Sequence, residues 1–419
     1  MLRRILVVLA LLVLAGVGWS LWTLQRGERL LSAAIERFER EVGPFDLVAN
    51  VPGAVAEQDN AAHWIKEGVA STALTDEDRE ALNELLGVDR QQVSPGLTEL
   101  LARHGEAFEL LRRAASAEAS SWGLDYTDAE AQPPDLLPVL WASKLLAADA
   151  VEALEAEDRE RFAADARGVA AIHHALVNEP QLLFQILGNH VEWIYLEVVQ
   201  RALASPWVGP ETLTPLKAEL EAHETQNPFQ RTFAVKASHL RQIFDRSRDT
   251  DGIGSWLQKF PERVFMAEDP AAAVDLFYRF SKASDMPANE IAAYVQGGGS
   301  PPVTKIIAAI LVPNLIDALV KYRANVASRN LALAALDLRL RSSEDGAYPE
   351  LESLVALDDP YGSGELEAAR HEDGSVSLSF PAALARWAEM SVKTDEPRVD
   401  PRFAWRLPAL AATGSSASP

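Results

Sequence analysis

Between Trp141 and Leu203, apolar side chains recur every three or four residues in three successive runs. That spacing lays one apolar stripe on each of three helices packed side by side, and it constrains the fold more than any other feature of the chain. Leu145, Leu146, Ala150 and Leu154 form the first stripe, and Phe162, Val169, Ile172 and Leu176 the second. Leu183, Ile186, Leu187, Trp193, Ile194, Leu196 and Val199 load the third. Polar corners at 155–158 and 178–180 separate the runs. Corners that short make neighbouring helices antiparallel.

More helices are expected on both sides. Asp59 should cap a short helix carrying Ala62, Ile65 and Val69. Thr75 and Asp78 have the spacing of a capping box, opening a helix that Gly87 ends. Ser94 and Pro95 should start one helix running to about Ala119. Leu213, Leu216 and Leu220 mark a further helix. Asn227 and Pro228 open another, with Phe229, Phe233, Ala237, Leu240 and Phe244 on its face. The pairs suggest α-hairpin repeats, although no fixed period with repeated identities is present. Residues 297–302, three glycines followed by Ser-Pro-Pro, read as a linker.

The N-terminus reads as a membrane anchor. Arg3 and Arg4 precede an apolar run from Ile5 to Leu24, and roughly 20 helical residues span the roughly 30 Å hydrocarbon core. Trp19 and Trp22 fall where an interfacial belt is expected, and the paired arginines favour a cytoplasmic N-terminus. The run is long for a cleaved signal peptide, and no small-x-small site follows it before Arg26. The expectation is a single-pass signal anchor in a bacterial inner membrane, with the bulk of the chain periplasmic or otherwise extracytoplasmic.

Composition narrows the function classes. A formal net charge of -22 repels nucleic acid and anionic lipid, so nucleic-acid binding is set aside. With no cysteine, disulfides, thiol nucleophiles, zinc–thiolate sites and iron–sulfur clusters are all excluded.

After the linker the character changes. Residues 303–341 read as one long helix, with Pro313 kinking it or marking its effective start. Residues 365–370 and 375–380, joined by Glu372-Asp373-Gly374, read as a β-hairpin. Residues 382–390 suggest a short last helix. The run Ile307-Ala308-Ala309-Ile310-Leu311-Val312-Pro313-Asn314 opens the helix. Asp345-Gly346-Ala347-Tyr348-Pro349, with Leu351 and Leu354, and then Asp359-Pro360-Tyr361-Gly362 follow it. In this order, residues 306–380 resemble a pilin-like module of the type II secretion pseudopilin kind. The whole chain is similar to uncharacterised membrane-anchored helical proteins of bacteria that carry such a tail. The resemblance implies a kinked apolar helix, two turns and a closing hairpin, reused as a structural module, because no prepilin cleavage motif precedes the helix.

The fold expected is therefore mainly α. A transmembrane helix at 1–28 precedes an antiparallel helical array at 29–250 and a helical extension with its linker at 251–302. A small α+β module at 303–385 and a tail at 386–419 close the chain.

Local motifs for chemistry are sparse. There is no Gly-x-Ser-x-Gly elbow, phosphate loop or dinucleotide fingerprint. His173 and His174 are adjacent on a helix, about 100° apart, and do not converge on one metal without help from elsewhere. His190, Trp193 and Glu197 share one helical face. No His-Glu-x-x-His pair is present, so the sequence assigns no catalytic, cofactor-binding or metal-ligating residue and implies no cofactor. The leading expectation is an anchored interaction or assembly protein of the cell envelope, partnered by the membrane and by envelope proteins. The enzymatic alternative is an envelope hydrolase built on His173, His174, His190 and Glu197. A carrier of an apolar ligand between helices is the third class.

Overall fold

The computed structural model describes residues 2–86, 95–126, 128, 133–224, 227–248, 268–297, 304–342, 347–351, 358–362, 364–381, 383 and 404–409. Side chains of residues 1–13, 243–248 and 304–311, with a few single positions, lie outside that description. The expected stop at Gly87, the Ser94 cap, the break after Arg248, and most of both the linker and the helix at 382–390 fall on residues outside it as well.

At the centre are α7 (Leu137–Glu155), α8 (Arg159–Val177) and α9 (Leu182–Ala204). All four residues of each of the first two stripes are buried. The third stripe holds only in part. Leu183 faces solvent, and Phe184, Val191, Tyr195, Val198 and Ala202 join Ile194, Leu196 and Val199 inside. A helix with neighbours on several sides buries more than one face, which blurs the single-stripe signal. At the α7–α8 corner Glu157 turns the chain with φ 58°, and the Asp158 side chain caps Arg161 N–H at 3.2 Å. The helices approach closely at Gly168, where a Cβ would come within 2.6 Å of the Leu146 side chain. A side chain there displaces the end of Leu146 from its place in the core.

After the four-residue α2 (Leu47–Asn50), smaller helices flank this trio: α3 (Ala61–Ala70), α4 (Asp76–Leu85), α5 (Pro95–Ala102) and α6 (Gly105–Ala114). The capping box at Thr75 and Asp78 is formed. Asn60, not Asp59, caps α3 by accepting from Ala62 N–H at 3.1 Å, while Asp59 belongs to a preceding 3-10 turn. The helix expected from Pro95 to Ala119 is two helices, broken at Arg103 and His104, whose turn keeps both Leu101 and Phe108 in the core.

Two helices join α9 to the rest: α10 (Pro210–Glu224), with Leu213, Leu216 and Leu220 buried, and α11 (Pro228–Arg248), with Asn227 capping Phe229 N–H. α12 (Asp269–Ala283) and α13 (Ala288–Gln296) follow. Phe229, Phe233, Phe277 and Phe280 make a second apolar cluster with Leu31, Ala34 and Phe38 of α1 (Leu2–Glu41). α1 is thus one continuous helix whose C-terminal half docks on the helical domain. Among the described residues no helix is long and apolar enough to cross a membrane. That leaves the span expected at 1–28 unsupported there.

The long C-terminal helix, α14 (Thr304–Leu340), contains Pro313 and packs against α9, α10, α12 and α13. It is a wall of the same core as the central trio. The hairpin forms as β1 (Glu367–Arg370) and β2 (Val376–Ser379), antiparallel with Ala368 opposite Leu378. Gly374, at φ +81°, makes the turn that a side chain would strain. A third strand, β3 (Ala404–Leu407), pairs antiparallel with β2 and buries Trp405 and Leu407. It falls in the stretch expected to be a tail, where a run of four residues is too short to give a periodic signal. The turn at Asp359 holds α13, because Ala288 N–H and Asn289 N–H donate to the carbonyls of Pro360 and Tyr361.

Candidate metal centre

α8 carries His173 and His174 into a junction with α10, and α10 supplies the third group. His223 continues the Leu213, Leu216, Leu220 stripe at the next three-residue step, so the position that faces the core there is an imidazole. His223 Nε2 lies 3.3 Å from His173 Nδ1 and 3.1 Å from His174 Nε2. The three ligand atoms all lie within 4.8 Å of one another. A tetrahedral zinc with Zn–N of about 2.0–2.1 Å holds its nitrogens roughly 3.3 Å apart. Two of the three edges already match, and the adjacent histidines converge because His223 enters between them.

Burial sets the protonation state this requires. Removal from water lowers the pKa of His173 well below its ordinary value, and nearby His223 adds to that. Burial also lowers His223, against an opposing pull from Glu192. Both are held neutral, the protonation state that ligation demands. The sign for stability follows. The unfolded chain takes up these protons below pH 6.5 and the folded chain does not, so stability falls as pH drops through that value. The metal-free protein should lose up to about 1.4 kcal/mol per pH unit per buried histidine. Asp165, pushed up to about 8 by burial, acts in the opposite direction over this range, so thermal melts of Asp165→Asn between pH 7.5 and pH 5.5 should show that decline, and a flat profile there contradicts it.

The surroundings are polar and ordered. Glu192 of α9 lies with its Oε1 3.7 Å from His223 Nδ1, longer than a hydrogen bond. Arg329 of α14 holds that carboxylate from Nε at 2.6 Å, and with His223 keeps it ionised well below the usual carboxylate range against the opposing effect of burial. Glu219, one turn before His223, lies with Oε2 3.4 Å from His174 Nε2, and that contact holds its carboxyl below the ordinary value. Tyr195 places a buried hydroxyl, without a hydrogen-bond partner among the described residues, on a ring 6.0 Å from His223.

The cluster opens on a cavity of about 710 Å³, and His173, His174, His223, Glu192 and Glu219 all line it. His174 and Glu219 are its partly exposed members, with side chains 41% and 33% exposed. Short residues, among them Ala61, Ala115, Ala119, Ala171 and Ala175, form much of the rest, with Arg167, Arg231 and Asn178. Three imidazoles leave the fourth position of a tetrahedral ion unfilled by histidine.

The two other residues of the anticipated His/Glu site lie elsewhere. His190 is exposed and bonds the Ile186 carbonyl at 2.8 Å, and Glu197 pairs with Arg201 at 3.0 Å. The α9 carboxylate beside the histidines is Glu192, and the third histidine is His223. No protein-family model, curated protein or solved structure matches this chain.

Proposed function

We propose that this protein is a membrane-anchored, extracytoplasmic metalloprotein of hydrolase type. Its metal is a divalent ion of the zinc class, bound by His173, His174 and His223. One observation carries the reading: three imidazole nitrogens from two helices, two of them buried, converge at metal-ligand spacing on the wall of an open cavity. A zinc-class ion with three histidines and a solvent position lowers the pKa of bound water to about 7. Glu219, beside His174, would accept the proton from such a water during its attack on a carbonyl carbon and would return it to the leaving group.

The test uses a chromogenic ester, p-nitrophenyl acetate, on the zinc-loaded chain. Turnover should vanish on chelation and should fall about 10²–10⁴-fold in Glu219→Gln with zinc retained. Hydrolysis no faster than free zinc, or indifferent to Glu219, overturns the hydrolase reading.

The anchor is part of the proposal. Its support is the apolar run behind Arg3 and Arg4, continued on α1 by exposed Leu14, Val17, Trp19, Leu21 and Trp22. Carbonate-resistant membrane retention that is lost on deleting residues 1–28 tests it. The pilin-like reading of the C-terminal part is also a proposal, supported by a long helix followed by the Asp359 turn and an antiparallel hairpin.

A further inference from the structure

The metal site is backed by a helix from the far end of the sequence. Asn325 and Arg329 sit four residues apart on α14 and present one face to α9. Arg329 Nε and Nη2 each lie 2.6 Å from Glu192 Oε1. Asn325 donates to the other oxygen of Glu192 at 3.3 Å and to the Asn189 carbonyl at 2.5 Å. Arg329 Nη1 also donates to the His223 carbonyl at 3.4 Å. The carboxylate is 1% exposed, so its position is fixed by these contacts and not by water.

His223 Nδ1 is buried and makes no hydrogen bond among the described residues, with Glu192 Oε1 at 3.7 Å as the facing acceptor. Metal on Nε2 fixes the proton on Nδ1, and a shift of well under 1 Å closes Nδ1–H onto that oxygen. We propose that Glu192 is the positioning residue of the metal centre: it orients His223 and fixes its tautomer, and α14 sets metal affinity by clamping Glu192 through Arg329 and Asn325. The C-terminal helix thereby acts on a site to which it gives no ligand. This rests on the metal-site reading above.

Cobalt(II) titration of the full chain, followed by its visible absorption, is the test. Glu192→Gln should keep the three-histidine spectrum while affinity falls 10–100-fold. Because that change strands the Arg329 charge, Glu192→Gln/Arg329→Gln, which removes both charges, is measured beside it, with the same loss expected. Arg112→Ala, which breaks a buried ion pair away from the site, serves as a control for lost stability and should bind cobalt as the wild type does. A third measurement needs no variant. Hydrogen exchange of the wild type with and without zinc should show added protection of α14 around residues 325–329. Unchanged affinity in a folded Glu192 variant, or no added protection of α14, overturns the inference and leaves the metal site standing. A wild type that binds no cobalt removes the metal-site reading itself.

Discussion

His223→Ala abolishes stoichiometric zinc binding while His190→Ala leaves it intact. Apparent zinc binding energies of about 10–16 kcal/mol are shared by three or four ligands, so losing one costs on the order of 10³-fold in affinity. His223 is the residue of choice because its Nε2 is the atom that both other imidazoles face. His190, exposed and bonded to its own helix, is the internal control. Metal analysis after gel filtration reads the result, and near-equal zinc content in the two variants contradicts the site.

Arg112→Ala is the substitution expected to cost most in stability. Arg112, on α6, reaches Asp165 of α8 at 2.6 Å and Asp149 of α7 at 2.7 Å. Asp165 has a fully buried side chain and Asp149 is 2% exposed. Asp149 keeps a second cation in Arg161, whereas Asp165 is left buried without its arginine. Removing one partner of a buried pair costs about 3–5 kcal/mol. Asp165→Asn should cost less, because burial already drives that carboxyl towards its neutral form with Arg112 pulling the other way. Urea denaturation with an unchanged m-value measures both. A loss under about 1 kcal/mol for Arg112→Ala means the network contributes little to the packing of α6 on the central helices.

The helical architecture was legible because periodicity reports burial directly. Every residue of the first two central stripes is inside, and the capping box at Thr75 forms as its spacing implies. The hairpin was legible from alternation around a Gly-containing turn. The misses have physical causes. Strand β3 is four residues long and gains its place from pairing with β2, a tertiary effect with no local signature. The turn at Arg103 and His104 splits a run whose leucines continue smoothly across it.

The site was half legible. Adjacent histidines on α8 were visible, and so was the fact that they do not converge without help from elsewhere in the fold. That help was sought on α9, where His190 and Glu197 share a face, but His190 is exposed and bonds its own helix, and Glu197 pairs with Arg201. The usable signal was on α10. Leu213, Leu216, Leu220 and His223 form one stripe, and a histidine in a core-facing register is where a ligand can be buried neutral. Glu192 and Arg329 carried no sequence signal, since 137 residues separate them and only packing of α14 on α9 brings them together.

X-ray absorption at the zinc edge of the zinc-loaded full chain tests the central claim most directly. The account predicts one zinc per chain with three imidazole nitrogens at about 2.0–2.1 Å and one oxygen. A shell of oxygens alone, fewer than three imidazoles, or no zinc retained would contradict it.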